Sequence, residues 1–193
     1  MCTRRTQTTL VLLLIVPVAQ AAESLRFGVL PSIASYNVED PLGPTEQRAG
    51  FSPAAVLLMD MGRDSRLMAQ VAYDKFTTNA STTNVNNDVT SLNVGLSYQM
   101  MMRVTRGWKP WLGVGAAYAN ESYSNRYTLA SGGFYCSACP YPDRTKDDFL
   151  VVLNASSEWQ LNRDWDMGIH LQFEQPTSSD GLRVIRFGVY AVY

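Results

Sequence analysis

LRVIRFGVYAVY, residues 182–193, sets the pattern that the rest of the chain repeats. Its side chains alternate, with Ile185, Phe187, Val189, Ala191 and Tyr193 in one row and Val184, Arg186, Gly188, Tyr190 and Val192 in the other. A period of two is the period of a β-strand, in which successive side chains leave opposite faces. The first row is apolar throughout and ends on an aromatic ring, so it requires an apolar surrounding. The second row holds one charge, Arg186, among small and aromatic residues.

Working outward, the same alternation recurs. Trp165, Met167, Ile169, Leu171 and Phe173 oppose Asp166, Gly168, His170, Gln172 and Glu174. Phe149, Val151, Leu153, Ala155 and Trp159 oppose Asn154, Ser156, Glu158 and Gln160, and Leu92, Val94, Leu96 and Tyr98 oppose Asn93, Gly95, Ser97 and Gln99. The pattern predicts eight strands: Leu25–Ser35, Phe51–Met61, Arg66–Phe76, Val89–Val104, Trp111–Ser122, Phe149–Leu161, Trp165–Gln175 and Leu182–Tyr193. Between them long connections (Tyr36–Gly50, Thr77–Asp88, Tyr123–Asp148 and the medium Pro176–Gly181) alternate with short ones (Gly62–Ser65, Thr105–Pro110, Asn162–Asp164). Long loops therefore gather on one rim and tight turns on the other, and an even strand count sets both termini on the short-turn rim. The facing of Phe51–Met61 stays open, because Ser52, Ala54, Val56 and Leu58 are nearly as apolar as their alternates. Pro53 within it removes a ladder donor and is expected near a strand end.

This organisation resembles the small eight-stranded outer-membrane β-barrels of Gram-negative bacteria, of the OmpA and OmpW kind, whose last strands alternate apolar residues up to a final aromatic. The resemblance covers the chain after its N-terminal segment and implies an all-β, antiparallel, up-and-down transmembrane barrel in the cell outer membrane. It implies as partners the lipid bilayer with its lipopolysaccharide and the machinery that inserts such barrels, for which Phe187 and Tyr193 would be the signal. A soluble barrel with an apolar cavity would reverse the two faces. The aromatic residues argue against it: Phe27, Trp159, Trp165 and Tyr193 fall near the short-turn rim, and Phe51, Tyr73, Tyr118, Phe149 and Phe173 near the other. Two aromatic levels are what two lipid–water interfaces select.

At the N-terminus Arg4 and Arg5 precede the apolar run Leu10–Val18, and Ala19-Gln20-Ala21 follows at cleavage spacing. The expectation is a secretory signal over residues 1–21, leaving one barrel domain over 22–193. The run is shorter than the roughly 20 residues a membrane helix needs. Cys2 stands before the run, whereas a lipid-anchored protein carries its cysteine directly after it. A mean hydropathy of −0.10 is compatible with a barrel, because apolar residues at alternate positions are hidden in the average. With Lys+Arg 16 against Asp+Glu 17, no basic field invites nucleic acid.

The inward row supplies the candidate site. Arg26, Asp74, Gln99, Arg103, Glu158, Asp166, His170, Gln172, Glu174 and Arg186 form an expected lumen cluster. With Glu174 opposite Val184, Gln172 faces Arg186 and the side chains of Glu174 and His170 lie on its diagonals. An eight-stranded barrel is only just wide enough for its own side chains, so the cluster is expected to close the lumen as a salt-bridged plug. A narrow channel or small-ligand carrier is the alternative. Gly113, Gly115, Ala117 and Ala119 face inward and leave room for long side chains; no helix follows, so the Gly-x-Gly here is no phosphate loop.

No catalytic residue, metal ligand or cofactor is expected. Lipid A deacylases of this superfamily hold a histidine and a serine two residues apart, whereas here His170-Leu171-Gln172 offers no hydroxyl. A lipid-modifying enzyme remains only a remote alternative. Cys136-Ser137-Ala138-Cys139 lacks both a βα context and a second cysteine pair. In an oxidising compartment it reads as a local disulfide at the tip of Tyr123–Asp148. Its neighbours Phe134, Tyr135, Pro140 and Tyr141 make that loop the place for a surface ligand or protein partner.

Overall fold

The computed structural model of the chain describes residues 24–38, 46–80, 85–102, 109–129, 138–179 and 181–193. The expected signal segment, Arg103 and Cys136 lie outside them. The described residues form nine strands: β1 (Ser24–Val38), β2 (Glu46–Asp60), β3 (Ser65–Thr77), β4 (Asn86–Met101), β5 (Lys109–Leu129), β6 (Ala138–Pro140), β7 (Arg144–Gln160), β8 (Asp166–Pro176) and β9 (Arg183–Val192). Eight of them pair antiparallel in the order β4-β3-β2-β1-β9-β8-β7-β5, and β5 pairs back onto β4. The sheet is thus a closed barrel, and β6 hangs on the outer end of β5 through Tyr127↔Pro140 to Leu129↔Ala138. Closure reaches the chain end: Phe27 N donates to Tyr193 O at 3.1 Å and Tyr193 N to Phe27 O at 2.9 Å.

The burial of the two faces is inverted relative to a water-soluble protein. Ile33 is 66% exposed, Phe149 64% and Tyr193 65%, while Arg66, Asp74 and Arg186 are fully buried. Val71, Leu92, Val94, Leu96, Leu112, Val114, Val151, Leu153, Ile169, Leu171, Ile185 and Phe187 continue the exposed row around the wall. Such a belt costs about 25 cal/mol per Å² in water and nothing in hydrocarbon, so it sets the barrel across a bilayer. Aromatic residues border it at both levels. Trp165 and Tyr193 meet at 5.5 Å near the short turns, and Tyr118 and Phe149 meet edge-on at 5.6 Å near the long loops.

Two boundary readings change. The expected loop Tyr36–Gly50 contracts, because β1 runs on to Val38 and pairs it with Glu46. The expected loop Tyr123–Asp148 is strand at both ends, with Tyr123 opposite Arg144 and β6 added beyond. Above the belt the outward positions meet water and no longer need to be apolar; Asn120, for example, bonds Asp147 across the ladder at 2.6 Å. Apolar alternation therefore ends before the ladder does. The facing of the Phe51 strand is also settled: Ser52, Ala54, Val56 and Leu58 point inward, and Phe51, Pro53 and Ala55 outward.

Pro53 lies in the middle of β2, directly opposite Pro31 in β1, and not near a strand end. Neither can donate a backbone hydrogen bond, and each interrupts the ladder on its far side. The β1–β9 register skips Leu30 and Pro31. The β2–β3 register runs from Ala54↔Ala72 to Asp60↔Arg66 only, with no pairing above Ala54 among the described residues. The wall therefore has a seam between β2 and β3 in its long-loop half. In amide hydrogen exchange of the folded protein, Phe51, Tyr73 and Lys75 are expected to exchange ahead of Leu57 and Ala69. Equal protection on both sides of Pro53 would remove the seam.

Candidate functional site

The interior is built in layers by the inward rows. Nearest the long loops, Ala34, Tyr36, Val38, Phe76, Val89, Tyr123, Leu182 and Val184 form an apolar layer, in which the Tyr36 and Phe76 rings stack at 4.2 Å. At the rim around it, Ser178 donates to Asp148, and Lys146 Nζ lies 2.5 Å from Ser178 Oγ and 3.2 Å from Asp148 Oδ2. Ser178 is thereby bound into the rim as a structural partner of Asp148.

Beneath the apolar layer sits Arg186, fully buried. The ladder sets Gln172 opposite Arg186 and Glu174 opposite Val184. A guanidinium carries five N–H donors and no acceptor, and here all five are used. Nε donates to Glu174 Oε1 at 3.2 Å, Nη1 to Ser52 Oγ at 2.8 Å and Asp74 Oδ1 at 2.9 Å, and Nη2 to Asp74 Oδ2 and Glu174 Oε2, both at 2.9 Å. Tyr36 Oη also donates to Asp74 Oδ1 at 2.8 Å, and Gln172 Nε2 to Glu174 Oε1 at 2.6 Å. Such fork-on-fork pairing fixes direction as well as distance.

A second centre lies toward the short turns around Arg66, also fully buried. Its Nε donates to Gln99 Oε1 at 2.5 Å and its Nη2 to Ser156 Oγ at 3.0 Å. Its Nη1 reaches Glu158 at 2.5 Å, and its plane lies 4.1 Å from the Trp111 ring centre. Tyr190 Oη donates to Glu158 Oε1 at 2.9 Å. Two glycines make the space. A Cβ on Gly113 would stand 2.3 Å from Asn154 Oδ1 and 2.7 Å from Gln99 Cγ, and one on Gly168 would stand 2.4 Å from the Tyr190 ring. At the mouth, Arg26 bonds Asp166 at 2.7 Å and Asp60 at 3.2 Å, with Glu158 at 3.7 Å. A cavity of about 460 Å³ opens there, lined by Arg26, Asp60, Arg63, Trp111, Glu158 and Asp166.

Between the centres lies His170, 1% exposed. Its Nε2 is 2.9 Å from Gln172 Oε1, and its Nδ1 has no hydrogen-bond partner among the described residues. A cavity of about 10 Å³ beside Gln70, Asn93, Ser97, Gln172 and Glu174 has room for about one water molecule. No hydroxyl nucleophile bonds the imidazole, and no metal-binding group of His, Cys, Asp or Glu occurs among the described residues.

The expected single cluster is thus two. Asp74, Gln172, Glu174 and Arg186 come together, with His170 joined through Gln172; Arg26, Glu158 and Asp166 gather at the mouth, and Gln99 belongs to Arg66. Arg103 lies outside the described residues. So does the cysteine pair, since of Cys139 only the backbone in β6 is described. Sequence reasoning missed Arg66, Asp60, Tyr36, Trp111 and Tyr190. For Arg66 the signal was present, because it shares the parity of Asp74 in β3. Phe187 faces outward, 49% exposed, on the same row as Tyr193.

No protein-family model matches the chain, and no curated protein matches it. Solved structures do. Neisserial surface protein A is similar with a TM-score of 0.59 at 15% identity, over 88% of this chain and 98% of that one. The outer membrane protein OprG of Pseudomonas aeruginosa gives 0.56 at 11% identity, over 90% and 98%. Ail, the attachment invasion locus protein of Yersinia pestis, in complex with the heparin analogue sucrose octasulfate, gives 0.54 at 10% identity, over 88% and 98%. At these identities the likeness is one of fold. Joined with the exposed apolar belt, it makes this chain a bilayer-spanning, eight-stranded β-barrel with the fold of small outer-membrane proteins.

Proposed function

We propose that the chain is a structural or surface-interaction protein of the outer membrane, with a lumen closed by its own side chains and its long loops displayed outside. One observation carries this reading: Arg186 of β9 spends all five donors on groups fixed in three other strands, β2, β3 and β8. A passing ion or solute would have to displace charge-assisted bonds in a dry interior, where each unpaired group costs several kcal/mol. The apolar layer above and the Arg66 centre below add two further closures. The displayed element is the extension of β5 with β6 and the start of β7, where Leu129 is 44% exposed; it is the surface offered to a ligand or protein partner. Catalysis has no support in a histidine buried against an amide.

The channel or small-ligand reading draws on a different observation, the cavity of about 460 Å³ at the short-turn mouth, which would serve as a vestibule if the Arg66 centre opened. Conductance across a planar bilayer separates the two, since openings belong only to the second.

A further inference from the structure

The outward charges are not spread evenly around the long-loop end of the barrel. Lys75 stands two residues beyond Tyr73 on the outward row of β3, Arg183 two beyond Ile185 on that of β9, and both are exposed. Tyr73 belongs to the upper aromatic row, and Ile185 lies opposite Phe173, another of its members. Each cation therefore sits one step above the aromatic level, at the depth of lipid headgroups. The outward acids are Asp88 on β4, diagonal to Lys75, and Asp147 on β7. Both are already bonded, Asp88 by Thr77 and Asn125, and Asp147 by Asn120. Among the described residues β1, β2, β3 and β9 carry no outward carboxylate.

These four strands are neighbours, in the order β3-β2-β1-β9. At about 4.8 Å per strand, three spacings set the two cations roughly 14 Å apart along the wall. The wall between them offers neutral hydrogen-bonding groups. Asn37 lies opposite both Arg183 and Gln47, and Gln47 Nε2 donates to Ser35 Oγ at 3.0 Å. Toward the belt Pro31 lies opposite Pro53, two short rigid side chains that leave the wall shallow beneath Ile33 and Phe51. We propose that the outward face of β3, β2, β1 and β9 docks a lipid of the outer leaflet with a phosphate at each end of its headgroup, Lys75 holding one and Arg183 the other.

Two separated cations with amides and a hydroxyl between them fit a headgroup that is anionic at both ends and polar in its middle. A lipid with one phosphate can meet only one of the cations at a time. The attraction of each cation for an anionic headgroup is short-ranged and adds to that of the other, so the pair retains a doubly phosphorylated lipid better than either cation alone. The site lies on the outer wall and is independent of whether the lumen conducts.

Native mass spectrometry of the folded full-length protein, released from phosphatidylcholine bilayers doped with doubly phosphorylated lipid A, tests the site by the lipid concentration that gives half occupancy. The unmodified protein is expected to keep one lipid A. Lys75→Gln and Arg183→Gln should each raise the half-occupancy concentration roughly fivefold, and the two together about thirtyfold. Arg163→Gln, in a short turn at the other end of the barrel, should leave it unchanged. Lipid A with one phosphate, and phosphatidylglycerol, should bind the unmodified protein no better than doubly phosphorylated lipid A binds either single variant. Lys75 and Arg183 are exposed, so their variants should keep the wild-type unfolding midpoint in phosphatidylcholine alone, which separates lipid binding from folding. Equal occupancy in the double variant, an equal loss in Arg163→Gln, or phosphatidylglycerol binding as tightly as doubly phosphorylated lipid A overturns the site.

Discussion

Arg186→Ala is expected to lower the free energy of unfolding by about 3–5 kcal/mol, the cost of removing one partner from a buried ion pair. The loss is electrostatic more than steric. Asp74 and Glu174 are 0% and 1% exposed; without the guanidinium they lose four of its bonds between them and are left as two buried carboxylates held only by Tyr36, Asn93 and Gln172. Arg186→Met, which restores volume but not charge, should therefore recover little. Adding Asp74→Asn and Glu174→Gln to Arg186→Met should recover most of the loss, because buried ionic groups replaced together by neutral ones cost little. The rim pair of Arg48 with Glu46 is the control: its side chains keep 28% and 16% exposure, and Arg48→Ala should cost no more than about 1 kcal/mol. Equilibrium urea unfolding in phospholipid vesicles, followed by tryptophan fluorescence, measures all of these. Equal losses for Arg186→Ala and Arg48→Ala would contradict the layered interior.

The second large effect concerns the outer face. Ile169 is 42% exposed and lies midway between Trp165 and Phe173 on the outward row of β8, opposite Val189 in β9 and Ser157 in β7. Its level falls between the Trp165–Tyr193 contact and the upper aromatic row, near the bilayer midplane. Ile169→Arg is expected to destabilise the inserted barrel by about 2–4 kcal/mol, the cost of a cation on a lipid-facing strand position at that depth. Arg183, exposed on the same outward row of β9 nearer the long loops, is the natural comparison, a level at which this face already carries a cation. In the unfolding assay, Ile169→Arg should shift the midpoint strongly and Ile169→Val hardly at all. A small effect of arginine at this position would mean that this face does not meet hydrocarbon.

Much of this architecture was legible in residues 182–193. The alternation gave the strand, the row ending at Tyr193 gave the outer face, and Arg186 gave the interior its charge. The order and antiparallel pairing of the strands followed, because loops that alternate long and short leave few other ways to wind a barrel. The register of β8 with β9 was legible too, since the short loop between them fixes which residues lie opposite.

What escaped the sequence did so for physical reasons. Arg66 stood at the edge of a strand, where a charge reads as the start of a turn, although parity placed it inside. Tyr36 and Tyr190 were apolar by composition and became hydrogen-bond donors only when folding brought Asp74 and Glu158 to them. The extensions of β1, β2, β5 and β7 beyond the belt carry no apolar alternation, because water covers their outer positions. Pro53 was expected near a strand end because a ladder loses a bond at proline. In the barrel it sits mid-strand, and the loss appears instead as the seam with β3.

If side chains of this barrel close its lumen, the unmodified full-length protein reconstituted into a planar lipid bilayer must not conduct. A silent membrane is expected, with no reproducible single-channel openings under applied voltage. Stable openings in the unmodified protein, changed in size or frequency by Arg186→Ala or Glu174→Ala, would contradict it and establish the interior as a conducting path.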